Sequence, residues 1–594
     1  MKIQKLAVIV YFAALLVACT PELPVAPAGM ETNTPLSTTM PSPETMPSAL
    51  VASTPEAAAT VAPLPNLVID LKDFIYNSEV VAAGDALVFD NSKNPEWAGF
   101  SVGGPFPIEG PFTIRIQVAM SGDFAGITLY GTVQTPGTPP LPRIFFGTPK
   151  QLGFIDDATG VQHQVNVDIS NGQTFYLDFL DEQGKQVNVV SETGEILARI
   201  DVTKDIPGIA LPDGLFPNRE FHLDIQTAPN SALTISQLVL EVKPGGVYEA
   251  ALERKCALTV GEQEVILSNT TLREAGLKNW PDTIFGVWRD GERYRFIAAN
   301  PLDTGYLLYS AVTEGTLDNP IAFSINPQVP IDNLQNSYGY IGGSTVYRDP
   351  QTGTLLMVYD AEQYPPDSGV HSADTPVHNL DGMAKSTDNG LTWVDLGEIV
   401  DTEFQGWADW NVGVGNAPFV VNGEYFYIYI NDTLIANPRF DVGTAVARAK
   451  VTDVLNAAIN ENTVVPWYKY YQGQWEQPGM GGKSSPLEIG NPQSTMFDVS
   501  YNEYLGRYIK INESVRDDSY NLYLSESTDG IHWTLRVPVD ESAGYKIYPT
   551  IIGLGDNPKI TGAEFYVYYI FTPDWSGTDP HAQKFLARRK ISCQ

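Results

Sequence analysis

The chain is poor in the residues that build metal and redox centres. Its 594 residues include three cysteines and six histidines, and no His/Cys cluster has the spacing of zinc ligands. Positive charge is scarce too. Lys and Arg number 36 against 70 Asp and Glu, a net charge of −34. No basic patch stands out to neutralise phosphates, which excludes nucleic acid as a partner. The apolar run Leu6–Ala18 counts 13 residues, short of the roughly 20 that a membrane-spanning helix needs. No helical period of useful length appears beyond residue 66, which leaves strands. Such an acidic chain suits a secreted protein handling neutral ligands. Its length exceeds one core and implies two or three domains.

What is present begins with an export signal. Lys2 and Lys5 precede the apolar run, which ends in Leu16-Val17-Ala18-Cys19. Residues 1–19 therefore resemble a bacterial lipoprotein signal, whose cysteine, here Cys19, becomes lipidated after cleavage. The resemblance implies a membrane partner through that lipid anchor and a place on the bacterial cell envelope, facing outside the cytoplasm. Residues 20–65 are rich in Pro, Thr, Ser and Ala, with almost no aromatics, and read as a tether unable to bury a core. Cys256 and Cys593 flank the C-terminal region. They are either a disulfide latching its two ends together or two buried thiols.

Residues 66–245 show alternating runs such as FTIRIQVAM, TFYLDFLD and LTISQLVLEV, separated by turn residues. This is the pattern of a β-sandwich. Trp97, Phe106, Phe145 and Phe146 are either sugar-stacking or packing aromatics. Residues 246–594 carry a unit that recurs five times, a short apolar strand followed by an aromatic one. The pairs are TIFGVW…RYRFIAA, GSTVYR…TLLMVYD, APFVVN…YFYIYIN, TMFDVSY…RYIKIN and PTIIGL…FYVYYIF. Strand-only repetition at this spacing predicts a five-bladed β-propeller, so the expected fold is all-β, a sandwich followed by a propeller.

Propeller topology sorts the acids. Residues just before a blade's first strand, or just after its second, line the mouth of the central funnel. Asp282 precedes the first strand of blade one. Asp360 and Glu362 follow the second strand of blade two, Asp432 that of blade three and Glu513 that of blade four, while Asp409 lies on the approach to blade three. Trp280, Asn416 and Trp475, the last in the glycine-rich stretch YYQGQWEQPGMGGKSSPL, complete the candidate ligand-binding set. By the same rule Arg348-Asp349-Pro350 belongs to a turn on the far face and is set aside as a catalytic motif.

Three resemblances follow from these residues. Residues 209–241, IALPDGLFPNREFHLDIQTAPNSALTISQLVLE, resemble the late strands of concanavalin-like lectin and glucanase sandwiches, without a glucanase E-x-D-x-x-E. Residues 386–393, STDNGLTW, and the shorter 527–533, STDGIHW, resemble the Asp-box of sialidases and other propellers. There the Asp caps a tight turn, so Asp388 and Asp529 are read as structural. The opening WPDTIFGVWRDGERYRFIAA resembles five-bladed glycoside hydrolases of the family 43 and fructan-cleaving groups. That likeness implies a general base at Asp282. The positions of that family's other two acids read Gly343-Ser344 and Asn416 here, a departure from its pattern.

Glycoside cleavage needs an acid to protonate the leaving oxygen and a carboxylate as base or nucleophile. The expected assignment is Asp282 as base and Glu362 as acid, with Asp360 or Asp409 orienting the sugar or raising a pKa. Carbohydrate is the expected partner. No cofactor is called for with certainty, and since several propellers of this kind hold calcium, a structural calcium ion is the one ion admitted. The competing expectation is a non-catalytic glycan-binding lipoprotein. A sialidase ranks below both, because arginine is sparse.

Overall fold

The computed structural model describes residues 66–594 apart from the segments 75–80, 102–103, 132–142, 148–150, 157–160, 166–171, 206–210, 212, 302–307, 366–374, 409–410, 435–442, 490–495, 517–518 and 574–582. The described residues belong to one compact unit, and the fold is all-β, as its residue pattern leads one to expect. The expected signal, tether and Cys19 lie outside the described residues.

Two antiparallel sheets form the N-terminal part. One is centred on Phe112–Ser121 and Ser231–Val242, the other on Ala125–Tyr130 and Glu220–Thr227. Phe112–Ser121 alternates buried and half-buried residues, the period of a strand with one face on a core. The two inner faces share one apolar cluster that includes Ile114, Ile116, Ile127, Leu129, Leu223, Ile225 and Leu240. Phe106 is fully buried in it and Phe145 is nearly so, while Trp97 is 62% exposed. Phe106 therefore packs the core and offers no face to a sugar.

Five antiparallel units follow. Their first two strands are Gly286–Asp290 and Arg293–Ala299, Tyr340–Arg348 and Leu355–Gln363, Phe419–Asn422 and Tyr425–Asp432, Phe497–Asn502 and Arg507–Arg516, and Tyr545–Gly553 and Glu564–Thr572. These are the five pairs visible in the sequence, called blades one to five below. The strands Leu355–Gln363 and Tyr425–Asp432 are buried on both faces along most of their length. A strand flanked by a blade on each side has no solvent face, which is why they read as continuous apolar runs rather than as alternation.

Hydrogen bonds between successive blades run in a circuit. Thr283 Oγ1 donates to the carbonyl of Gly343 at 2.8 Å. His378–Asn379 of blade two pairs in parallel with Val412–Gly413 of blade three. Asn416 Nδ2 donates to the Phe497 carbonyl at 3.0 Å, and the Ile551 amide to Asp498 at 2.8 Å. The Phe285 amide then returns from blade one to Thr550 of blade five at 2.9 Å. Blade five takes its outer strands from the start of the region, because Leu258–Val260 and Glu264–Leu267 pair with Phe585–Cys593. Beside that pairing Cys256 and Cys593 are joined as a disulfide, with Cα atoms 4.7 Å apart and 337 residues between them in sequence.

The turns after the third strands lie on the far side. In the first, Asp388 accepts from the amide of Thr392 at 2.9 Å and from its hydroxyl at 2.6 Å. In the second, Asp529 accepts from the amides of Ile531 and His532, both at 2.9 Å. Asp349 likewise closes its own turn through the amide and hydroxyl of Thr352.

Candidate functional site

At the opposite end of the blades the structure gathers acids. Asp282 stands just before the first strand of blade one. The Tyr548 hydroxyl of blade five donates to its carboxylate at 2.9 Å, and the Tyr340 hydroxyl of blade two to its carbonyl at 3.1 Å. Tyr340 lies directly opposite Glu362 across the strand pair. Asp360 and Glu362, two residues apart, project from one face of their strand. Glu513 of blade four joins the group by accepting the Tyr548 amide at 3.2 Å. Asp282, Asp360, Glu362 and Glu513, four of the residues read from the sequence, thus surround one tyrosine pair.

Burial and neighbouring charges raise two of them. Burial pushes Asp282 up to about 6; Lys584 and the Tyr548 hydroxyl favour its charge, and Glu362 opposes it. Asp360 is held well above the usual carboxylate range, first by burial and then by the charges of Glu362 and Asp282. Its Oδ1 has no hydrogen-bond partner among the described residues. Asp282 and Glu362 are half-buried, whereas Asp360 is buried beneath them. The Tyr364 hydroxyl donates to Glu362 at 3.0 Å.

Sequence reasoning missed Asp381. It lies directly opposite Asp360, on the third strand of blade two. It is wholly buried, and both carboxylate oxygens lack a hydrogen-bond partner among the described residues. Burial, then the charges of Asp360 and Asp401, hold it protonated far above the ordinary range, against the pull of Lys469. Tyr340, Tyr548 and Lys584 were missed as well.

The remaining candidates fall elsewhere. Trp280 is fully buried in an apolar cluster with Phe285 and Phe296, so its ring is not presented to a ligand. Asn416 is buried, its amide committed to Phe497. Asp432 is buried in a neighbouring network, where it accepts from Ser484 at 2.7 Å and Thr402 at 3.2 Å. Trp475 packs on the outer strands of blade three, with Arg448 4.2 Å from its ring and Tyr470 and Tyr427 beside it. The glycine-rich stretch does reach the mouth, through Ser484 on Asp432 and the Gly479 carbonyl, which accepts the Asp401 amide at 3.0 Å. Asp409 lies outside the described residues. A cavity of about 230 Å³ sits apart from all these acids, between the sandwich and blades three and four, and is lined by Glu109, Arg219, Tyr470, Gln472 and His532.

No protein-family model matches the chain, and no curated protein matches it. Among solved structures it is similar to the catalytic domain of a GH62 α-L-arabinofuranosidase from Coprinopsis cinerea (9% identity, 57% of this chain and 97% of that chain, TM-score 0.37). It is also similar to Zg3597, a family 117 glycoside hydrolase from Zobellia galactanivorans (10% identity, 57% and 86%, TM-score 0.34). A third is the NanB sialidase from Streptococcus pneumoniae (10% identity, 83% and 99%, TM-score 0.28). Likenesses this weak carry no argument about activity, so the functional reading rests on the site alone.

Proposed function

We propose that the protein is a glycoside hydrolase acting on an oligo- or polysaccharide at the mouth of the five blades. The observation that carries this reading is the pairing of two half-buried carboxyls, Asp282 and Glu362, over buried acids that lack donors. Pairs of titratable groups whose surroundings push their protonation apart are what acid–base hydrolysis requires. Asp282 has a cation and a hydroxyl beside it and acts as the base on water. Glu362 donates the proton to the leaving oxygen. Asp360, buried next to it, is itself held protonated by burial and by the charges of Glu362 and Asp282.

In this proposal the sandwich of residues 66–245 and the blades of 246–594 are separate domains, held at the envelope surface by lipid on Cys19. Metabolic labelling with a radioactive fatty acid tests the last point, since label that survives Cys19→Ala refutes it. A capture protein without catalysis is the second reading, favoured by Gly343-Ser344 and Asn416 at positions where the resembled family has acids. A glycan panel separates the two. Asp282→Asn and Glu362→Gln should each lower turnover by about 10²- to 10⁴-fold while leaving binding near wild type. Binding without turnover by the wild-type protein supports capture.

A further inference from the structure

One partly exposed indole, Trp407, stands in a connection between blades. The loop Asp401–Ala408 joins the last strand of blade two, Trp393–Val400, to the start of blade three at Val412. Val400, the residue before the loop, pairs with Asp381, which in turn pairs with Asp360, so the loop leaves blade two at the end that carries these acids. Five tryptophans, Trp280, Trp288, Trp393, Trp467 and Trp533, are essentially fully buried, yet Trp407 is 42% exposed.

The loop beneath it is firmly held. Asp401 Oδ1 lies 2.8 Å from His378 Nε2, and the Gly406 carbonyl lies 3.0 Å from His378 Nδ1. An imidazole with an acceptor at each nitrogen donates from both and carries a charge. Burial works against that charge, but the bond to Asp401, its charge and the Gly406 carbonyl outweigh it. Gln405 Nε2 donates to Asp401 Oδ2 at 2.7 Å and to the Thr402 carbonyl at 2.8 Å. Lys469 Nζ donates to the carbonyls of Asp401 and Gly482 from the other side. The His378 ring meets the Trp407 ring edge-on, with centroids 6.1 Å apart. His378 itself lies opposite Gln363, the residue after Glu362.

We infer that Trp407 is a stacking platform for one ring of a neutral sugar chain bound at the mouth. The inference rests on the hydrolase reading above and adds the class of substrate. An aromatic face held rigid by a buried frame packs the C–H face of a sugar and leaves the hydroxyls to polar groups at its edge. The surroundings set the charge of that sugar. Asp282 and Glu362 are the half-buried acids at that end, in a chain of net charge −34, and a uronate or other acidic ring meets like charge there.

The test is calorimetric titration of the full protein, its Trp407→Ala and its Trp407→Phe variants. The probes are neutral arabino-, xylo-, gluco- and galacto-oligosaccharides, with a galacturonate oligomer as the charged comparison. The wild type binds a neutral oligomer, Trp407→Ala binds it about tenfold more weakly, and Trp407→Phe stays within about threefold. For a turned-over substrate, Trp407→Ala raises KM with kcat nearly unchanged. Equal affinity of Trp407→Ala and wild type overturns the platform, as does preference for the uronate, and both results leave the hydrolase reading standing. Absence of binding and turnover for every oligosaccharide overturns both. Unchanged circular dichroism of Trp407→Ala separates a lost platform from a lost fold.

Discussion

Asp381→Asn is the perturbation from which the buried acids have most to tell. Asp381 is wholly buried, faces Asp360 in register, and has no hydrogen-bond partner for either oxygen among the described residues. Its folded pKa lies well above the ordinary value, mainly through burial and then through Asp360 and Asp401. The unfolded chain releases the proton near pH 3.9. Above that pH the unfolded state binds fewer protons than the folded state, so stability falls as pH rises until the folded pKa is passed. The slope is about 1.4 kcal/mol per pH unit for one proton. Above about pH 4 the wild type should therefore lose stability relative to Asp381→Asn as pH rises, until the raised folded pKa is passed. The assay is urea unfolding followed by tryptophan fluorescence at several pH values. The asparagine amide adds a buried group that lacks an acceptor, a cost of about 1–3 kcal/mol that does not vary with pH. The slope is thus the readout, and the offset is not. Asp360→Asn should flatten the profile too, and the double variant by less than the sum, because each shift is partly the other's charge. Parallel stability profiles for wild type and Asp381→Asn would refute a protonated Asp381.

Three further outcomes follow from the same structure. The Cys256–Cys593 disulfide spans 337 residues, so replacing both cysteines with serine should cost about 2–5 kcal/mol; an unchanged urea midpoint with and without reductant speaks against it. His532 sits between Asp529, 2.7 Å away, and Glu109 of the sandwich, 3.5 Å away, and these two bonds raise it to about 9. Its contribution is present below about pH 6.5, the unfolded value, and is lost as pH rises through about 9; His532→Gln should abolish that loss, and an unaltered alkaline profile counts against the bridge. Lys510 and Glu488 form a buried ion pair, so Lys510→Met should destabilise by about 3–5 kcal/mol while adding Glu488→Leu recovers most of it; equal stability of the single and double variants contradicts this.

The blades were legible because their inner strands have no solvent face. A run such as YFYIYI at residues 425–430 cannot alternate when both faces meet another blade, and five such runs in order define the repeat. The ends of strands were legible by topology, which is why Asp282, Asp360, Glu362 and Glu513 come together. Side-chain direction was not. Trp280, two residues before Asp282, turns into the apolar cluster with Phe285 and Phe296, because this entry is not a strand and the alternation of strand faces does not govern it. Trp475 belongs to an outer strand, where Arg448 covers it. Asp381 sits in HNLDGMAKS, where nothing local marks it as buried; its neighbour Asp360 is met by blade three, whose Gly415 leaves room for it at 3.0 Å from a would-be Cβ. Contacts such as Tyr548 to Asp282 join residues 266 apart in sequence, and no local pattern announces them.

The two ends of the blades obey different rules with the same amino acid. On the far side Asp349, Asp388 and Asp529 each collect amide and hydroxyl donors and close a turn. At the mouth Asp360 and Asp381 are buried as well, yet three of their four oxygens collect no donor among the described residues. A buried carboxyl without donors costs stability, and an apolar pair at those positions would be expected to stabilise the fold. Nothing in the packing of blade two calls for the acids. A local rule broken at one end of a fold and kept at the other is the pattern that the proposed hydrolytic site would produce. The same contrast bears on the choice between hydrolysis and capture. In the hydrolase proposal the buried acids lie directly beneath Glu362 and Asp282, the groups that exchange protons, and Asp360→Asn should therefore change the pH dependence of turnover, which a capture site does not have.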